Sequence, residues 1–132
     1  MALNTRLVMT VSALLLFLLG LLLTFLPVEI AAFLKLESSR SIQIILQIAG
    51  AQYFAMGMLN WMSRNSVIGG IYNRPVSIAN FTHYLVGALA LIKGLMHSEG
   101  LPTVLWVLAA LYSVFAVLYG FIFNRNPVSN QN

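Results

Sequence analysis

Four apolar stretches constrain this chain more than any other feature: Leu7–Leu26, Ile42–Met62, Val76–Met96 and Thr103–Phe123. Each is 20 or 21 residues long, the length at which a helix crosses a hydrocarbon core of about 30 Å. In lipid the backbone must satisfy its own hydrogen bonds, and a helix does so within one segment. Composition agrees. Of the residues, 60% are hydrophobic and 8% charged, whereas a soluble domain carries about 25% charged residues. The expected fold is an all-α membrane protein, a four-transmembrane-helix up-down bundle. It forms a single domain over residues 1–132, in a multi-pass arrangement in a cell membrane.

The breaks between spans are clear. Pro27 and Glu29 end the first, Arg64 and Asn65 the second, and Arg74-Pro75 opens the third. His97 to Pro102 separates the third from the fourth, which stops at Asn124-Arg125-Asn126-Pro127. The first span is too long for a signal-peptide core and no small-residue cleavage site follows it, so it is expected to be a retained helix. Val28–Ser41 starts apolar and turns charged, the pattern of a short helix lying in the interface. Val67–Tyr72 is apolar with two glycines and is expected to dip into the opposite interface.

Charge orients the bundle. Arg6, Arg64, Arg74 and Arg125 fall on one side with no acid. On the other, Lys35, Arg40 and Lys93 are balanced by Glu29, Glu37 and Glu99. The sides sum to +4 and 0, which puts both termini in the cytoplasm (N-in/C-in). The basic residues form no patch, so nucleic acid is not an expected partner. With no cysteine, disulfides, thiolate metal sites and thiol chemistry are excluded.

Each span carries a small or polar stripe at helical spacing. In the second it is Gln43, Gln47, Gly50, Phe54, Gly57, Trp61 and Arg64; in the third Ser77, Asn80, Tyr84, Gly87, Ala90, Gly94 and His97. In the fourth it is Thr103, Trp106, Ala110, Ser113, Val117, Gly120 and Asn124, and in the first a weaker Thr10, Ala13, Phe17, Gly20 and Thr24. Membrane helices associate through small residues and interhelical hydrogen bonds, so these stripes are expected to face one another. A further pattern, Ala109-Ser113-Ala116-Gly120, is a candidate oligomer face; the alternative is packing on a helix of the same chain.

Polar groups within a span are costly unless paired. Asn60, Arg64, Tyr72, Arg74, Asn80 and His83 gather toward the cytoplasmic end and form the candidate binding set. The asparagines suit a polar headgroup, His83 a proton near neutral pH, and the arginines an anion. The alternative is that the asparagines tie helices together and the arginines anchor to lipid phosphate. No catalytic residue, metal site or cofactor is expected. The spans contain no acid, and two histidines on one helix, His83 and His97, cannot both ligate one haem within a subunit.

The layout resembles small four-helix bacterial membrane proteins of the DoxX-like and related uncharacterised groups. The resemblance rests on Leu26-Pro27 closing the first helix and on Gly57-Met58-Leu59-Asn60-Trp61 in the second. The turn Gly69–Pro75 and the Asn80, His83 and Gly87 of the third helix extend it. It implies a bacterial inner-membrane location and the same bundle; those groups largely lack an established activity. The expected function is a non-enzymatic membrane protein that assembles with itself or a membrane-protein partner amid membrane lipid. Its first alternative is a lipid or small-amphiphile binder or transporter using the polar cluster. The second is a membrane enzyme acting on a lipid-soluble substrate through His83.

Overall fold

A computed structural model describes residues 4–66 and 73–124. The Val67–Tyr72 segment, with Tyr72 of the candidate set, and Arg125 lie outside the described residues. Five helices run in order: α1 Thr5–Phe25, α2 Pro27–Phe33, α3 Arg40–Ser63, α4 Arg74–His97 and α5 Val104–Asn124. No strand occurs among the described residues. Four of the helices are long and apolar enough to cross a membrane. They match the four apolar stretches, extended by a residue or two at several ends because polar capping residues stay within the helical turn.

Local chemistry sets these ends. Asn4 caps α1 by accepting from the Leu7 amide at 3.1 Å, and Ser39 caps α3 by accepting from the Ile42 amide at 3.3 Å. Leu26 leaves helical geometry (φ −123°, ψ 44°) because the following proline crowds it. Pro27 then opens α2, where a missing N–H costs nothing. α2 is the short helix expected in the interfacial segment. It buries Ala31 and exposes Val28 and Phe33. It closes with the Leu36 amide donating to the Ala31 carbonyl and the Lys35 amide to Ala32, which requires the left-handed backbone at Lys35 (φ 56°). That position usually belongs to glycine, and a lysine there costs about 1 kcal/mol.

The bundle is apolar outside and partly polar inside. Leu7, Val11, Leu14, Leu18, Leu21 and Phe25 form an exposed leucine-rich ridge on α1, while Ser12, Asn60, Ser77 and Asn80 are fully buried. Water would favour the reverse; a lipid environment favours this one.

The long helices form two close pairs, α1 with α3 and α4 with α5, and α3 meets α4 only sparsely at the backbone level. Sequential order alone suggests equal contact between the second and third spans. The difference lies in residue size. Gly20 and Gly50 bring α1 and α3 backbone to backbone: a Cβ on Gly50 would sit 2.8 Å from the Thr24 nitrogen and 2.9 Å from the Gly20 carbonyl oxygen. Between α3 and α4 stand Tyr53, Asn60, Asn80 and His83, whose side chains span a wider gap.

The α5 face needs correction. Trp106, Ala110 and Val117 are exposed; Ala109, Tyr112, Phe115, Ala116, Tyr119 and Ile122 are buried. Small size misled the assignment, because α5 packs through rings rather than through close backbones. Phe115 and Tyr119 stack on the Tyr84 ring, and the Tyr112 hydroxyl lies near His83. Within the candidate oligomer face, Ala109 and Ala116 are buried inside the single chain, Ser113 bonds back to the Ala109 carbonyl, and Gly120 lies against the Phe81 ring.

Candidate functional site

The candidate binding residues separate into three groups. The first is a sealed network. Asn60 Nδ2 donates to Asn80 Oδ1 at 2.7 Å and Asn80 Nδ2 donates to Asn60 Oδ1 at 2.6 Å, a reciprocal amide pair joining α3 to α4. The second hydrogen of Asn60 goes to Ser12 Oγ at 2.8 Å, and that of Asn80 to the Val76 carbonyl at 2.9 Å. All four amide hydrogens are therefore in use. Ser12 Oγ also shares a hydrogen bond of 2.6 Å with Tyr84 Oη, so the chain of contacts runs from α1 through α3 to α4. Tyr84 in turn stacks on Phe115 and Tyr119 of α5, with centroids 4.8 and 5.7 Å apart. One network thus ties all four long helices. The Tyr119 hydroxyl is buried near Ser12 but outside good hydrogen-bond geometry.

The second group is the pair of arginines. Arg64 covers the Trp61 ring at 3.7 Å and donates to the Trp61 carbonyl. Arg74 lies 5.2 Å from the Phe123 ring, and its carbonyl accepts from Ser77 Oγ at 2.9 Å. Both flank the end of the bundle where α3 stops and α4 starts. Neither bonds to the amide pair.

The third group is His83 with three tyrosines. His83 faces Tyr53 edge-on at 5.5 Å and Tyr84 at 5.1 Å. Its Nε2 lies 3.3 Å from Tyr112 Oη. Gly87, one turn along α4, makes this possible: a Cβ there would lie 2.7 Å from Tyr112 Cδ1, so only glycine lets the ring lie flat. Tyr53, Gly87 and Tyr112 form the deep end of a cleft of about 330 Å³. It rises along α4 and α5 past Leu91, Gly94 and Leu105 toward the loop that contains Leu101.

The remaining polar groups are local. Gln43 donates to Ser38 Oγ at 3.4 Å and Gln47 to the Thr24 carbonyl at 3.3 Å. His97 is exposed and its Nδ1 lies 2.8 Å from the carbonyl of Lys93 on its own helix. Gln52 differs from both other glutamines of α3: it sits at the midpoint of the 24-residue helix, exposed, without a hydrogen bond among the described residues.

Sequence reasoning missed Ser12, Tyr53 and Tyr112 as site residues. Ser12 sits one position before Ala13, which was assigned to the inward stripe, and a ~100° step per residue leaves neighbouring positions hard to separate. The tyrosines carried a readable signal, since a hydroxyl at membrane depth needs a partner as an amide does.

No protein-family model, curated protein or solved structure matches the chain.

Proposed function

We infer that the protein is a non-enzymatic, multi-pass membrane protein that works as an assembly of at least two copies joined through α3. One observation carries the reading. Gln52 presents a free amide on the exposed face of α3, at the depth where a bilayer would be driest. An amide in hydrocarbon without a hydrogen bond costs about 2–7 kcal/mol. A second α3 at the same depth would supply the missing partner. An amide is self-complementary, donor and acceptor together, as Asn60 and Asn80 demonstrate within the chain. Ala51 and Ala55 flank Gln52 on the exposed surface and permit close approach. α3 is also the least buried of the four long helices.

The charge difference between the two sides supports both termini in the cytoplasm. The bacterial inner membrane and the DoxX-like grouping rest on the sequence resemblance. The spans hold no acid to work with His83, and this supports a role other than catalysis.

The test is native mass spectrometry of the full chain in lipid nanodiscs or mild detergent. The expected result is a dimer or higher species for the natural chain and mostly monomer for Gln52→Leu. That change makes α3 more apolar and disturbs no internal contact, so folding should persist. A natural chain that is monomeric, or a variant with an unchanged oligomer, overturns the reading.

A further inference from the structure

We propose that the cleft between α3, α4 and α5 is a binding site for a neutral lipophile with a single hydroxyl or carbonyl head. The head would lie against Tyr53 and Tyr112, and the apolar body would run toward the α4–α5 loop.

Four observations carry this. The first is volume. About 330 Å³ is at the low end for small-molecule pockets, roughly 300–1,000 Å³. It admits one chain or one small ring system, and no whole phospholipid. The second is lining. Above the tyrosines the walls are leucine, alanine and glycine, and no charged residue contributes. A carboxylate or phosphate would find no counter-ion there, and desolvating it unpaired is prohibitive. The third is depth. Tyr53 and Gly87 lie near the middle of their 24-residue helices. A phospholipid head belongs at the interface and cannot reach the deep end; an uncharged oxygen on an apolar body can.

The fourth is hydrogen-bonding capacity. Oη of Tyr112, in the cleft wall, stands 3.3 Å from Nε2 of His83, a long contact that leaves the phenol able to bond a further polar atom. A hydroxyl can both donate and accept, and a carbonyl can accept from the phenol. This contrasts with the sealed amide network, where every N–H is already used. Gly94 keeps the passage open, since a Cβ there would meet nothing within 4 Å. From α3 the site takes Tyr53, whereas the assembly face presents Ala51, Gln52 and Ala55.

The experiment uses the full chain in phosphatidylcholine nanodiscs with three photoreactive diazirine probes of equal length: dodecanol, dodecane and dodecanoate. Labelled peptides are mapped by mass spectrometry. The alcohol should label residues 87–108 at least fivefold above the alkane and the carboxylate. Gly94→Leu, which fills the passage without a clash, should abolish that labelling. Tyr53→Phe and Tyr112→Phe should each reduce the alcohol signal to the level of the alkane. Thermal melts of each variant separate loss of binding from loss of fold, and Tyr53→Phe, at a half-buried position, gives a second reading if Tyr112→Phe melts early. Equal labelling by alcohol and alkane overturns the proposal, because the cleft would then be an acyl-chain groove. Stronger labelling by the carboxylate, or alcohol labelling that survives in folded Gly94→Leu, overturns it as well.

Discussion

At the scale of single residues, membrane depth turns hydrogen-bond accounting into the main determinant of role. Asn60 and Asn80 use every amide hydrogen inside the protein. Their replacement by leucine one at a time leaves the partner's amide oxygen and one of its N–H groups buried and unpaired, at a cost of about 1–3 kcal/mol. The double replacement removes both polar groups together and should cost clearly less than the sum. Unfolding titrations of the four proteins in a double-mutant cycle check this. Additive effects would show that the two amides act separately.

Two tyrosines give a matched contrast. Tyr84 shares a 2.6 Å hydrogen bond with Ser12, whereas the Tyr119 hydroxyl is buried without one. Both rings are fully buried and stack on each other. Tyr84→Phe should lower stability by about 1 kcal/mol, and Tyr119→Phe should leave it unchanged or raise it. Melting temperatures measured side by side decide the matter; equal losses would contradict it.

At the scale of elements, glycine placement explains which helices touch. Gly50 meets the backbone of α1, but Gly94 meets nothing. Gly50→Ala should force α1 and α3 apart and cost about 1–3 kcal/mol. Gly94→Ala should be tolerated, with a small gain from helix propensity. Both are read as changes in unfolding midpoint, and a tolerated Gly50→Ala would contradict the close crossing. The four long helices were legible in the sequence because span length and capping residues act locally. α2 was legible from the apolar start of Val28–Ser41. The α1–α3 contact was legible because glycine and alanine recur on both helices. The inward face of α5 was not. Reading small residues as interior assumes that backbones approach, and α5 instead inserts Tyr112 into the space above Gly87. Likewise, the candidate binding set was chosen by shared depth. Depth does not state which way a side chain turns, so the set divides into amide pair, end arginines and His83 nest.

At the scale of the whole molecule, the polar groups divide by what they still lack. The Ser12–Asn60–Asn80–Tyr84 network is complete and holds the bundle together. The His83–Tyr112 contact is long, and Tyr112 lines a cleft. Gln52 has no hydrogen-bond partner among the described residues and is exposed at mid-span. The first role is structural; the proposals are that the second receives a molecule and the third joins a second copy. Because the chain has no cysteine, single introduced cysteines report on that junction without background. The most direct measurement is oxidative cross-linking in native membranes of Ala55→Cys, one turn from Gln52 on α3, beside Val117→Cys on the exposed face of α5. Ala55→Cys should give a covalent dimer on non-reducing gels, since sulfur bridging requires Cα atoms within about 7 Å, and Val117→Cys should remain monomeric. A monomeric Ala55→Cys protein, or equal cross-linking at both positions, would contradict assembly through α3.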